Sequence, residues 1–525
     1  MGIPSYYKRL SSSIKTLVVP HRAPIAAGTL LFDFNCMIYQ VIRDKSLRPF
    51  PGYGDTEAAL AWENEVCQAI VDYTLKVWRE VGKPARVFIG VDGVVPMAKI
   101  RQQRLRRFKS IWMAREEETR SIRPVDPNRW DTNAITPGTA FMERLGARLQ
   151  QLCQVQGWTV SDASEPGEGE QKCMEYWRRG GAGASGTGDI VIYGLDADLI
   201  LLCLLTRQML YDSRGVWLFR EATEWEGGGQ GGGQGGGGEG QAPFMRFSVN
   251  ILSDNLVPAG VDALTWTLDY VAAMSLLGND FVPHSLSIKI RENGHNLLIK
   301  ELNRIYFTGH KLVRLVNGYW TYNKVALVEL IKPWAAEETQ MLLTAIKHKG
   351  QRTNYEDWNL LPTVWRVEEK TLCESRGVLY TDWQERMLSS WFGEGVVGDA
   401  VCKKYCEGLQ WILDYYTAQK PVDPLWVYPW SLPPTWSMLC HESLEFPSKW
   451  STGLDLKPQE QLAMVLPKES WHFIRDTRLR ELPEKAPQFW PTTFSFFSAG
   501  RFFLWECEPE IPLLYLPVVR ALSKS

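Results

Sequence analysis

The chain has 525 residues, too many for one ordinary domain, and 45% of them are hydrophobic, enough to bury at least one large core. A formal net charge of −2 excludes a uniformly basic nucleic-acid coat, although a set of acidic metal ligands can hide a local basic site from that sum. No apolar run approaches the ~20 residues that span a bilayer, and the start MGIPSYYKRL lacks the features of a secretory signal, so an intracellular, reducing compartment is expected, cytoplasmic or nuclear. Ten cysteines occur without a CxxC pair, and Cys402 and Cys406 have only Cys440 and His441 as distant partners, which argues against zinc. Gly2 raises myristoylation, but that pattern asks for Ser or Thr where Tyr6 stands.

In chain order, GTLLFDFN from Gly28 reads as a buried strand ending at Asp33, with Asn35 two residues on. Residues 60–80 have a helical pattern, after which RVFIGVDG brings out a second apolar strand that ends at Asp92. Lys99, Arg101, Arg104, Arg106, Arg107 and Lys109 then fall within eleven residues without one acid. Lys99, Gln103, Arg106 and Arg107 stand at i, i+4, i+7 and i+8, one face of a helix. Planar Arg donors and a Lys point charge on one face suit a terminal phosphate; a solvated or acid-paired surface is the plainer alternative.

Pro137 and Gly138 turn the chain into a helix over 140–155, and GWTVSDAS follows as a short strand. In EPGEGEQK, Pro166, Gly167 and Gly169 bend the backbone around Glu168 and Glu170 before another helix starts. The apolar run Ile190 to Tyr193 leads into Asp196 and Asp198, placed to bracket one cation even where the strand is already turning into the helix of Leu199 to Leu205. Residues 223–242 carry GGGQGGGQGGGGEG, an insertion with nothing to bury and therefore expected to be a disordered surface loop. TLDYVAAMSLLGNDFVPH supplies Asp280 just past the Gly278 helix stop. After about residue 315 aromatic-rich helical segments take over, and the loop Asp423 to Trp436 is a candidate platform for unpaired bases.

Asp33, Asp92, Glu168, Glu170, Asp196, Asp198 and Asp280 each follow a strand, a bend or a helix stop. If they converge, their repulsion requires divalent cations or raised pKa values. An oxygen-only set selects Mg²⁺ or Mn²⁺ over zinc. Two ions ~4 Å apart would activate a water and stabilise the leaving oxygen of a phosphodiester. There is no Walker loop and no plausible Ser-His-Asp set.

These residues carry a resemblance. MGIPSYY, FDFN, VDGVVPMAKIRQQRLRRF, ITPGTAFM, EPGEGEQK, YGLDADLI and GNDFVPH, with YCEGLQWILDYY and PQEQLAMVLP further on, resemble the Xrn-type 5′→3′ exoribonucleases, relatives of the flap endonucleases, over nearly the whole chain. The resemblance implies an α/β fold: a mostly parallel central sheet flanked by helices in a PIN-like, flap-nuclease-like core (residues 1–315), with a helical, aromatic-rich second region (316–525) packed against it. It implies that the seven acids are the metal ligands of a two-metal-ion hydrolase. Lys99, Gln103, Arg106 and Arg107 match the pocket for a 5′-monophosphate, and Asn35 lies in the matching active-site motif. Where the family usually has Gly and His after the first Asp, this chain has Cys36 and Tyr39; Tyr39 can still stack on a base. Of the second region's paired tryptophans only Trp426 is matched, with Pro424 about where the other would be. By the same resemblance the chain is expected to stop after the second conserved region, without the long additional domains of the large cytoplasmic members.

The implied function is metal-dependent 5′→3′ hydrolysis of single-stranded RNA with a 5′-monophosphate to mononucleotides, in RNA decay or processing, by a monomer that an activating or decapping-type partner could join. Two alternatives stand beside it: a flap-type endonuclease on branched DNA, which would need a duplex-gripping module, and an RNA-binding relative without chemistry, which the seven acids weaken.

Overall fold

The computed structural model describes residues 2–44, 46–120, 129–183, 187–194, 196–222, 243–351, 366–441, 444–453 and 455–524. The Gly-rich stretch 223–242 lies outside the described residues. After helix α1 (Tyr6–Ser13), strands β1 (Val18–Pro20) and β2 (Ala27–Asp33) lead into helices α2 (Asn35–Ile42) and α3 (Thr56–Val81). Next come β3 (Arg86–Gly90), the basic helix α4 (Met97–Thr119), α5 (Ala140–Gln156), β4 (Thr159–Ser161) and α6 (Gly169–Arg178). The sheet is completed by β5 (Asp189–Tyr193), α7 (Asp198–Met209), β6 (Val216–Glu221) and β7 (Phe244–Ser248).

These strands form one seven-stranded sheet in the order β1-β7-β6-β5-β2-β3-β4. The run β6-β5-β2-β3-β4 is parallel throughout, and β7 pairs antiparallel with both β6 and β1. The chain moves outward from β2 through β3 to β4 and then returns to β5 on the other side, which makes the junction of β2 and β5 a topological switch point, where α/β sheets open a crevice at their carboxyl edge. Parallel strands buried on both faces explain the continuous apolar runs of β2, β3 and β5.

Alternation along β2 assigns its side chains to two cores. Leu30 and Phe32 pack with residues of α2, α3 and α5, whereas Leu31 faces the other layer with Ile190, Ile192 and the apolar residues of α7. That second core continues through helix Ala263–Met274 into the late helix Gly398–Thr417, so Leu31 and Trp411 belong to one apolar cluster. A third cluster joins Met97, Ile100 and Phe108 of α4 to Leu462, Leu482, Trp490 and Val519. The late part of the chain thus packs on the sheet layer and clamps the basic helix. Among the described residues no helix is long and apolar enough to cross a membrane. None of the ten cysteines is in a disulfide.

Candidate active site

The carboxyl edge of the sheet gathers the acids because consecutive parallel strands must release their chains on the same side. Asp33 is the last residue of β2 and pairs in register with Gly90, so Asp92 emerges beside it. Asn35 ties the two exits together: its Nδ2 donates to Asp92 Oδ2 at 2.9 Å, and its Oδ1 accepts from the Asp92 amide at 3.2 Å. Asp92 Oδ1 also accepts the amide of Gly169 at 2.7 Å, which draws the start of α6 onto the same edge. A Cβ on Gly169 would lie 2.6 Å from the Gly90 carbonyl and 2.8 Å from Asp33 Oδ1, so only glycine lets the helix approach this closely. Gly167, at φ +108°, makes the preceding bend.

Glu168 stands at the N-cap position of α6 without a side-chain cap bond, Glu170 lies in its first turn, and Asp198 opens α7. Helix amino termini favour carboxylates, but burial opposes their charge. Glu168, Glu170 and Asp198 are at most 5% exposed. Asp33 is held well above the usual carboxylate range by burial and by the charges of Asp92 and Asp196. Burial and then Glu168 do the same to Glu170, while burial and Asp280 push Asp198 up to about 8. Asp196 lies between strand and helix, near enough for its charge to act on Asp33 and Asp198. Thus β5 ends at Tyr193, and the two aspartates do not share a strand face: the helix starts at the second of them.

Lys99 reaches into this negative edge from the first turn of α4. Its Nζ stands 2.5 Å from Glu168 Oε2 and 2.9 Å from Asp280 Oδ2. Burial works against the ammonium, but Asp280, Glu168, Glu170 and Asp198 hold its pKa well above the usual lysine range. Gln102 adds a 3.4 Å contact to the other Asp280 oxygen. Glu168 Oε1 accepts from the hydroxyl of Tyr415 at 2.7 Å, a residue 247 positions later in the chain. Neither Gln102 nor Tyr415 stands out in the sequence, although Tyr415 lies in the family-like segment YCEGLQWILDYY.

Further along α4, Gln103 and Arg107 are buried and Arg106 is half-buried, its charge reaching Asp196. Arg107 Nη1 donates to Asn133 Oδ1. Burial lowers the Arg107 guanidinium to about 10, with Tyr39 near enough to offset part of that shift. Tyr39 is half-buried on α2, against the core that includes Phe32 and Ile89. The opposite face of α4 is structural. Arg104 donates to the carbonyls of Met464 and Phe489, and Lys109 to those of Trp505 and Cys507.

Trp426 does not lie where a base platform requires. It is 4% exposed, with its ring 5.4 Å from Trp411 at an interplanar angle of 26°. A Cβ at Gly408 would come within 2.8 Å of that ring. The apolar area of the indole, tucked over a glycine, is worth more in the core than at a wet surface, and Trp426 is a packing residue.

The residues present can be tested against a divalent cation. As the side chains stand, the described residues show no trio of acidic, His or Cys groups placed to hold a metal ion; the Lys99 ammonium takes up the space between Glu168 and Asp280. Yet Glu170 Oε2 and Asp198 Oδ1 are buried without a hydrogen-bond partner among the described residues. Buried, unpartnered carboxylate oxygens with raised pKa values are what an oxygen-liganded dication would satisfy, and the donor set fits one.

Residues 1–212 match the family model for the XRN 5′-3′ exonuclease N-terminus, and residues 383–514 match that for the Xrn1 helical domain. Among curated proteins, the chain is 30% identical over 353 residues to 5′-3′ exoribonuclease 2 of Saccharomyces cerevisiae, covering 57% of this chain and 35% of the relative. It is 35% identical over 377 residues to 5′-3′ exoribonuclease 2 of Aspergillus oryzae, covering 57% and 36%. An alignment of 594 residues with human 5′-3′ exoribonuclease 1 has 27% identity and covers 98% of this chain but 33% of the relative. The chain spans about a third of the length of these relatives.

Proposed function

The chain belongs to the Xrn-type 5′→3′ exonuclease family, and from that premise we propose that it is a metal-dependent 5′→3′ exoribonuclease hydrolysing single-stranded RNA with a 5′-monophosphate to mononucleotides. The observation that carries the reading is the junction at Lys99. One helix brings Lys99 to the acid edge and carries Gln103, Arg106 and Arg107 on the same face, four, seven and eight residues further on. A residue row that holds a terminal phosphate therefore begins where phosphodiester chemistry would take place.

In this reading Asp33, Asp92, Glu168, Glu170, Asp196, Asp198 and Asp280 hold Mg²⁺ or Mn²⁺, with two ions expected. The bound metal supplies an activated water and neutralises the leaving oxygen. The chain's own residues do the positioning. Asn35 fixes Asp92, and Tyr415 fixes one oxygen of Glu168. Lys99 supplies a charge that can pair with the acids or with substrate phosphate. Gln103, Arg106 and Arg107 hold the 5′-monophosphate through charge-assisted hydrogen bonds. Tyr39, beside Arg107, offers a ring to the terminal base. Residues 1–315 form the catalytic core and 316–525 complete the RNA channel from the other side.

The test is release of mononucleotides from RNA labelled at either end, in the presence and absence of Mg²⁺, on 5′-monophosphate and 5′-hydroxyl substrates. Metal-dependent release from the 5′ end that prefers the monophosphate supports the reading. Internal cuts, a preference for branched DNA, or RNA binding without release would each replace it.

A further inference from the structure

Arg107 is held by a relay that runs out of the catalytic core. Arg107 is 8% exposed, and among the described residues only Nη1 of its three guanidinium nitrogens has a hydrogen-bond partner, Asn133 Oδ1. The other end of the same amide, Nδ2, donates to Ser470 Oγ at 2.8 Å. Ser470 is 1% exposed and lies in the 3-10 helix Lys468–Phe473, within the second matched region. The neighbouring Glu469 pairs with Arg115 of α4, which tethers this helix to the basic one a second time.

The Asn133 side chain is not needed by its own turn. The turn Thr132–Ala134 is capped by Asp131, whose Oδ1 accepts the Asn133 amide at 2.9 Å, and Thr136 Oγ1 satisfies the Asn133 carbonyl at 2.7 Å. Its carboxamide is therefore free to connect Arg107 with Ser470. A planar guanidinium pinned at Nη1 keeps its Nε and Nη2 hydrogens on one remaining edge, the edge that grips two oxygens of one acceptor. Among the described residues Arg107 Nε is buried without a partner. An unsatisfied buried donor next to a fixed one suits an incoming oxyanion and is a costly arrangement otherwise.

We propose that Asn133, itself held by Ser470, is a positioning residue for end recognition: it fixes the Arg107 guanidinium so that its Nε and Nη2 edge meets the 5′-monophosphate. This rests on the reading of Lys99, Gln103, Arg106 and Arg107 as the phosphate pocket. The second region then helps to build the pocket in which the terminal phosphate is read, through one serine hydroxyl.

The test is the ratio of kcat/KM on 5′-monophosphate RNA to that on the same RNA with a 5′-hydroxyl, measured for Arg107→Ala, Asn133→Ala, Ser470→Ala and the double variant Arg107→Ala with Asn133→Ala. Asn133→Ala should lower the ratio about tenfold, the size expected for a misdirected charge-assisted contact, with Ser470→Ala acting in the same direction and less strongly. The double variant should have the ratio of Arg107→Ala alone, because an unheld arginine and an absent one fail in the same way. A merely structural role of Asn133 would depress both substrates alike and would add to the Arg107 defect; either result overturns the proposal. Ser470→Ala keeps the test alive should Asn133→Ala fold poorly. An unchanged ratio in Arg107→Ala removes the phosphate-pocket reading itself, whereas a selective Arg107→Ala beside a non-selective Asn133→Ala removes only the relay.

Discussion

Asp198→Asn separates what an acid does for folding from what it does for chemistry. Asp198 opens α7, is 1% exposed and has Oδ1 without a partner among the described residues. Burial, then repulsion from Asp280, pushes its pKa up from 3.8 to about 8. A carboxylate with a raised folded pKa binds its proton more tightly folded than unfolded, so its contribution to stability is fully present below pH 3.8 and is lost as pH rises towards about 8. A tenfold gain in proton affinity is worth about 1.36 kcal/mol, so at pH 7 keeping this carboxyl protonated in the fold, when the unfolded chain would ionise it, costs the metal-free protein at most about 4 kcal/mol. That figure is a ceiling, because protonation of one acid relieves its neighbours. In thermal melts without metal from pH 4 to 8, Asp198→Asn should melt higher than the wild-type chain near neutrality, and the two should converge at the acid end. Mg²⁺ should raise the wild-type midpoint more than that of the variant, and the variant should release no nucleotides. Parallel melting curves across the whole pH range, or an equal response to Mg²⁺, would refute both the strained-carboxylate argument and the ligand assignment of Asp198.

Four further outcomes follow from the same geometry. Arg106→Ala should cost ~1.5–3 kcal/mol, roughly ten- to hundredfold, on 5′-monophosphate RNA and little on 5′-hydroxyl RNA, and an equal loss on both would make α4 a general backbone contact. Tyr39→Ala should lose ~1–3 kcal/mol of base contact and slow successive cycles, with Tyr39→Phe close to normal; a large fall in melting temperature with normal turnover would instead make Tyr39 a packing residue. Tyr415→Phe leaves buried Glu168 Oε1 without its donor, at ~1–3 kcal/mol, and should lower kcat with little change in RNA binding; unaltered kcat would dismiss it as a positioning group. Trp426→Ala should destabilise the chain by ~3–5 kcal/mol, and an unchanged melting temperature with weakened RNA binding would return Trp426 to a base-contact role.

The parts of this molecule that were legible in its sequence are those set by local pattern. The apolar runs of β2, β3 and β5 identify strands buried on both faces, and the acids that end them share an edge because parallel strands share a direction. The helices over 60–80 and 140–155 occur as Thr56–Val81 and Ala140–Gln156, started by Asp55 and Thr139 side chains that accept the amides of Ala58 and Met142. The basic row of α4 is likewise periodic. What stayed hidden depends on partners far apart in the chain. Nothing near Lys99 says that its ammonium bridges Glu168 and Asp280, and nothing near Asn133 points to Ser470, 337 residues away. Trp426 shows the converse error. The aromatic-proline loop is rich enough to suggest a stacking surface, but exposure depends on what lies underneath, and the bare backbone of Gly408 on the preceding helix admits the indole to the core.

Helix α4 has a demand placed on it that an ordinary surface helix does not. Its acid-facing residue, Lys99, and its Asn133-held residue, Arg107, are eight positions apart, or ~12 Å along the axis. If the terminal phosphate is gripped along this row, the helix acts as a ruler that brings an adjacent phosphodiester to the acids, and a small slide or tilt of α4 would carry the substrate out of line. The late part of the chain secures it accordingly. The amide of Met97, the first residue of α4, donates to the Pro424 carbonyl at 2.8 Å, and the amide of Val95 to Gln461 Oε1 at 2.9 Å. Arg104 is anchored on Met464 and Phe489, and Arg101 on Glu508. Each anchor comes from beyond residue 400, and the cations involved point away from the acid edge. On the proposed function the second region would act first as the clamp that holds the ruler, and a substitution that loosened it, such as Arg104→Ala, should impair the choice of cleavage position before it unfolds the core.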